Sequence, residues 1–220
     1  KVVVSHSGGL DSSTAVILAV EKYGKENVIS LGFNYGQKQS IELEKATRFC
    51  NELGVERHVL DLGILGDIVK TKSANIAGSD IEMPTIKDVL GNPQPPTYVP
   101  WRNGILFMLS AAFAETNGAS NIITGVQATD QYSYFDTTPK FVEDINTVYN
   151  NNRMWPLNLI APFSHLSKLE ELKLLQELDK IHLLEHTLTC YDPDEHGRSC
   201  GKCPSCAERI KAFMELGIKD

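Results

Sequence analysis

Apolar, β-branched runs alternate along this chain with segments whose apolar residues recur at helical spacing. Strand-like runs fall at Val2–Ser5, Val28–Phe33, Glu56–Leu62 and Asn121–Gly125, and Asp11–Tyr23, Ser40–Leu53 and Asn103–Asn117 read as helices between them. This rhythm predicts βαβ units and an α/β fold, with a doubly wound, mostly parallel sheet covered by helices on both faces. Ligands of such sheets gather beyond the carboxyl ends of the strands. Those ends are Ser5–Gly9, Phe33–Gln37 and Gly125–Asp130, and each carries glycine or polar residues.

Elsewhere the pattern is less regular. From Gly63 to Pro100 it weakens, broken by Gly66, Gly78, Gly91 and Pro93-Gln94-Pro95-Pro96, which predicts a short helix and then an irregular segment. So long a connection either covers a site, contacts another subunit or acts as an inert spacer. Further helices are expected near Pro139–Tyr149 and over Leu166–Leu178, with apolar Trp155–Pro162 between them. There is no internal repeat and no obvious linker.

Composition narrows the class. A chain of 220 residues, 42% of them hydrophobic, can bury a full core as one domain with a small appendage. We expect an α/β domain over residues 1–186 and a C-terminal region over 187–220 packed on it. No apolar run approaches the roughly 20 residues that span a bilayer, and no basic-then-apolar leader precedes Val2. A soluble, cytoplasmic protein without membrane partners is the expectation. A net charge of −7 disfavours stable nucleic-acid binding, which relies on clustered Lys and Arg, yet leaves room for a small anionic substrate.

The densest candidate chemistry is Ser7-Gly8-Gly9-Leu10-Asp11-Ser12-Ser13, between the first strand and the first helix. Its glycines let successive N–H groups and the positive end of the helix converge on a phosphate. Hydroxyls of Ser7, Ser12 and Ser13 add donors, and Asp11 can cap the helix or help hold Mg²⁺. No lysine follows the glycines, which argues against a Walker A loop and for a grip on pyrophosphate. Arg102, at the entrance of the helix after Val99-Pro100-Trp101, is either a bidentate ligand for anionic oxygens or a surface arginine beside Asn103. Phe33 to Gln37 end the second strand, where backbone groups can read an adenine edge, and Lys38 reads as solvated. Asp130, Tyr132, Tyr134, Phe135 and Asp136 offer aromatic faces beside carboxylates, suited to a heteroaromatic ring with N–H donors, or else to a packed loop.

Cys190, Cys200, Cys203 and Cys206 form a C-x9-C-x2-C-x2-C pattern, with Gly197 and Gly201 in its turns and Pro204 and Ser205 starting a helix to Leu216. Four thiolates at this spacing suit a closed, structural Zn²⁺ site; two disulfides are the alternative. Cys50 reads as a small buried apolar residue.

The S-G-G-x-D-S loop resembles the PP-loop of ATP pyrophosphatases. Together with Val-Pro-Trp-Arg-Asn at 99–103, Gly125-Val126 followed by Asp130, Tyr134 and Asp136, and Thr189-Cys190-Tyr191 with its cysteines, the whole chain resembles the 7-cyano-7-deazaguanine synthase family. That resemblance implies a PP-loop, adenine nucleotide alpha hydrolase-like fold with a small zinc-binding region. It further implies a homodimer that uses ATP and ammonia to convert 7-carboxy-7-deazaguanine to its nitrile, through two adenylations and an amide. Implied nucleotide contacts are Ser7 to Ser13, Phe33, Gln37, Arg102 and Gly125; implied substrate contacts are Asp130, Tyr134 and Asp136. Asp11, Arg102 and Lys168 are the implied catalytic residues, although Lys168 also suits the exposed start of a helix. Alternatives within the same chemistry are an amide-forming ligase and a tRNA-modifying PP-loop enzyme; outside it stands a nucleotide-binding module without catalysis. One departure falls on the substrate side: Thr138 replaces an arginine and Lys140 an acid of the usual pattern, and Asn34 stands where an aspartate is usual.

Overall fold

The computed structural model describes residues 1–89, 92, 94–127 and 134–220. Strands β1 (Val2–Ser5), β2 (Val28–Asn34), β3 (Glu56–Asp61), β4 (Asn121–Thr124) and β5 (Asn158–Ile160) form one five-stranded sheet in the order β3-β2-β1-β4-β5. Every pairing is parallel, with Val3 opposite Ile29 on one side and Ile122 on the other. The doubly wound α/β expectation therefore holds, and the sheet is wholly parallel rather than mostly so. β5 lies inside the apolar Trp155–Pro162 stretch; at three residues it is too short to display a period.

Alternation along the strands builds two cores. Val2, Val4 and Ile123 face α1 (Leu10–Tyr23), α2 (Ile41–Leu53), α7 (Lys168–Glu177) and α8 (Pro204–Leu216), together with Phe49, Leu172, Leu175 and Phe213. Val3, Ile29, Leu31 and Ile122 face α3 (Gly63–Val69), α5 (Arg102–Thr116) and α6 (Pro139–Tyr149), together with Phe107 and Tyr149. A one-residue slip of β1 would exchange these faces, so the triple valine run fixes the register only in company with its helices. Ala212 and Phe213 of α8 belong to the first core, so the cysteine-bearing segment packs directly against the sheet domain.

Helix ends follow local chemistry. α7 begins at Lys168 rather than Leu166 because Ser167 and Glu170 form a reciprocal capping box. Thr138 caps α6, its hydroxyl accepting from Phe141 N–H at 3.2 Å, with Pro139 in the first turn. The divergent Thr138 and Lys140 thus serve the start of α6, where Lys140 pairs with Asp144. Between α3 and α5 the only regular piece among the described residues is α4 (Ile86–Val89), in keeping with the irregular segment expected there.

The chain runs from β1 outward to β2 and β3, then crosses back to β4 on the other side of β1. The carboxyl ends of β1 and β4 therefore diverge into a crevice, the position where open α/β sheets bind ligands. Two glycines bring backbone into it. Gly8 has φ +105°, and a Cβ there would stand 2.3 Å from the Glu42 carbonyl oxygen; a Cβ at Gly125 would stand 2.7 Å from Ser12 N. No helix of the described residues is long and apolar enough to cross a membrane.

Candidate active site

A cleft of about 210 Å³ opens at this crevice. Ser7, Gly9, Asp11 and Ser12 line it at the start of α1, together with Phe33, Gln37, Gly125, Arg102 and Lys168. Residues separated by more than 150 positions in sequence thus share one cavity. The floor is the start of α1, where Gly9 occupies the capping position without a side-chain cap. First-turn N–H groups left in this way, plus the helix dipole, form an anion site.

Several side chains stand differently from the sequence reading. Asp11 does not cap α1; it sits within the first turn and its Oδ1 accepts from Lys168 Nζ at 2.7 Å. Lys168 is no exposed helix start, since only 7% of its side chain is accessible, and Glu208 Oε2 lies 3.9 Å from its ammonium group. The Ser13 hydroxyl faces the interior, 3.0 Å from His6 Nε2, whereas Ser7 and Ser12 hydroxyls pair at 3.1 Å on the cleft floor. Leu10 N–H is taken by Thr189 Oγ1 at 2.9 Å.

On the acceptor side the match is partial. Asp136 is buried, and its Oδ2 accepts from Asn103 N at 3.1 Å, so it caps α5 from outside and does not line the cleft. Tyr134 hydroxyl meets Thr97 Oγ1 at 2.6 Å and its ring stacks on Tyr98, which ties this loop to the irregular 63–100 segment. Thr137, one residue further, lines the cleft. Asp130 and Tyr132 lie outside the described residues.

Arg102 opens α5, and its Nη1 donates to Tyr35 hydroxyl at 3.3 Å. Burial opposes its charge, but Tyr35 and Asp136 outweigh burial and hold the guanidinium fully protonated. Glu42, which lines the same cleft, escaped the sequence reading because an acid in the first turn of a helix is ordinary. Burial raises its pKa to about 8 against the partial relief of Gln37, Arg102 and Arg57. A neutral acid at this position presents no negative charge to an incoming phosphate. Beneath the loop, His6 is buried against Ser13, Ser30 and Arg57, and burial followed by Arg57 holds it neutral.

The four cysteine sulfurs lie within 4.8 Å of one another. A tetrahedral zinc–thiolate site needs sulfur separations of about 3.8 Å, so the cage fits with small adjustments. Backbone N–H groups point at the sulfurs, from Cys200 and Asp192 to Cys190, from Tyr191 to Cys203 and from Cys203 to Cys200. Such donors stabilise thiolate ligands. Hydrogen bonds from its cysteine neighbours bring the Cys203 pKa far below the usual thiol value. None of the five cysteines is joined in a disulfide in this structure, and Cys50 is buried as expected.

With this geometry in hand, the comparison with known sequences is decisive. The family model described as "Queuosine biosynthesis protein QueC" matches residues 1–217. The chain belongs to the QueC family. Relatives of this QueC-family chain named 7-cyano-7-deazaguanine synthase include those from Clostridium acetobutylicum, 33% identical over 98% of this chain and 94% of the relative, and Marinomonas sp., 36% identical over 100% and 96%. Solved structures share the fold at lower identity. The NMN synthetase from Francisella tularensis has TM-score 0.53 and 16% identity, covering 100% of this chain and 78% of its own. The U34-tRNA thiolase NcsA from Methanococcus maripaludis, with its [4Fe-4S] cluster, has TM-score 0.52 and 16% identity, covering 98% of this chain and 65% of its own.

Glu42 gives this site a pH signature. Its folded pKa of about 8 exceeds the ordinary carboxylate value. Its contribution to stability is therefore complete below the unfolded pKa and lost as pH rises through 8. Glu42→Gln, a neutral isostere, escapes that loss: its Tm relative to wild type should climb between pH 5 and pH 8 and level off above. Parallel Tm curves for the two proteins across that range would contradict the assignment.

Proposed function

We propose that this protein is an ATP-dependent carbon–nitrogen ligase that converts 7-carboxy-7-deazaguanine to 7-cyano-7-deazaguanine with ammonia. The reading is carried by the full-length family match, read together with one cleft that gathers the PP-loop, Arg102 and Lys168. A carboxylate oxygen attacks the α-phosphorus of ATP, the bond to pyrophosphate breaks, and the acid becomes an acyl-adenylate. Ammonia then adds to the carbonyl carbon, AMP departs with the bonding electrons, and loss of a proton gives the amide. The amide oxygen repeats the attack on a second ATP, and departure of AMP with loss of the remaining N–H protons leaves the nitrile.

In this scheme the amides of the first turn of α1, with Ser7 and Ser12, hold pyrophosphate as it leaves. Arg102 is charged and half-buried at the cleft, so it stabilises negative charge on the phosphates. Lys168 is fixed by Asp11 and reaches the same charge. Mg²⁺ would screen the phosphates, with the Asp11 carboxylate as its protein ligand. Phe33, Gln37 and Gly125 border the adenosine end; Asp130, Tyr134 and Asp136 belong to the acceptor loop, of which Thr137 lines the cleft.

Incubation with ATP, Mg²⁺, ammonia and 7-carboxy-7-deazaguanine should give AMP, pyrophosphate and a nitrile by mass spectrometry. Arg102→Ala and Lys168→Ala should each lower kcat by about 100-fold or more, typical for removal of one electrostatic stabiliser. ADP as product, or nucleotide cleavage indifferent to the deazaguanine acid, would overturn the reading. Accumulation of amide alone would point to a ligase that stops after one activation.

We also propose that Cys190, Cys200, Cys203 and Cys206 hold one structural Zn²⁺ in a region spanning 187–220. Metal analysis should give about one zinc per chain, and Cys203→Ser should lose it together with several degrees of Tm. A metal-free protein with the Tm of the zinc-loaded form would refute the site.

The resemblance further implies a homodimer. Trp101, Ile105 and Met108 are respectively 59%, 37% and 39% exposed and line one apolar hollow with Phe141, a surface suited to a second copy. Sedimentation should give twice the chain mass, and Met108→Glu should give monomers. A wild-type monomer would remove the dimer from the proposal.

A further inference from the structure

Thr189 is held by two donors at once. Its Oγ1 accepts from Leu10 N at 2.9 Å and from Arg209 Nη1 at 3.2 Å. A hydroxyl oxygen has two lone pairs and one proton, and neither a main-chain N–H nor a guanidinium N–H can accept that proton. With both lone pairs engaged, the hydroxyl can act further only as a donor. Among the described residues, no carbonyl, carboxylate or hydroxyl takes its proton.

The hydroxyl is also confined. Thr189 is 8% exposed and sits in the wall of the cleft, and a Cβ built on Gly9 would lie 3.9 Å from its Oγ1. Arg209 cannot swing away to release it, because the same guanidinium donates to Thr187 Oγ1 at 2.7 Å, to Leu184 O at 3.2 Å and to Asp220 at 2.8 and 2.7 Å. A fixed cation on one lone pair polarises the O–H bond and favours donation to an anion.

We infer that Thr189 donates its hydroxyl proton to a phosphate oxygen held at the start of α1, making the cysteine-bearing segment a direct part of the pyrophosphate site. This inference rests on the reading of the loop as a pyrophosphate grip. The ligand class is a condensed phosphate, whether free pyrophosphate or the triphosphate of a nucleotide. The same threonine satisfies Leu10 N–H, which would otherwise compete for the anion with its neighbours.

Titration of the whole, metal-loaded protein with magnesium pyrophosphate in a calorimeter tests the inference. Thr189→Ser keeps the proton and both lone pairs, so its Kd should stay within about twofold of wild type. Thr189→Val keeps the shape without the hydroxyl and should raise Kd by about tenfold or more, the loss expected for one hydrogen bond to a charged group. If the valine variant does not fold, Thr189→Ala is read in its place. A lower Tm with unchanged Kd in the valine or alanine variant would show a purely structural threonine and overturn the inference, as would equal weakening in the serine and valine variants. Wild type that fails to bind pyrophosphate would instead remove the reading of the loop on which the inference rests.

Discussion

The N-terminal turn of α1 is the constraint around which the remaining parts are arranged. A helix start lacking a side-chain cap is costly unless something satisfies its N–H groups, and here Gly9 supplies no cap. The chain answers at two positions, where Ser7 Oγ accepts from Gly9 N–H and Thr189 Oγ1 from Leu10 N–H. Neighbouring amides are left at the floor of a cleft, oriented by Gly8 below and crowded by Gly125 from the side. Without glycine at both positions the loop could not pack so closely on α2, nor the end of β4 on the first turn of α1. The exposed amides at this turn are thus a packing result of β1, β4, α1 and α2 before any charged side chain is considered.

Charge is then distributed so that the cleft is less negative than a chain whose net charge is −7. Arg102 is charged and Lys168 is fixed by Asp11, while burial keeps Glu42 protonated to about pH 8 and His6 neutral. With Glu42 neutral, Arg102 and Lys168 are balanced by Asp11 and Glu208 among the lining groups, so the cleft does not share the chain's net negative charge.

Much of this was legible in the sequence because the signals are local. The strand–glycine–helix order of residues 2–19 fixes the loop and its place at a strand end, and the cysteine spacing fixes the thiolate cage. Less local features did not show. β5 has three residues and no period, and Glu42 looks like any acid near a helix start. Asp136 has a role that its residue type does not announce: α5 needs an acceptor at its start and Asp136 supplies it. The Ser13 hydroxyl is likewise turned toward His6 by the helical period, which its place in the loop sequence does not show.

The C-terminal segment links the two kinds of information. Its cysteines stand within sixteen positions of one another in sequence, but its effect on the loop depends on Leu188 N–H reaching Gly8 O at 2.9 Å and on Arg209 bracing Thr187 and Thr189. Arg209 follows Cys206 by less than one helical turn of α8, so the thiolate cage and the guanidinium share one helix end. A bound ion would therefore do more than staple a surface excursion. By locking the start of α8, it would hold the threonine segment against the loop and so join the closure of a thiolate cage to the geometry of a cleft built from the other end of the chain.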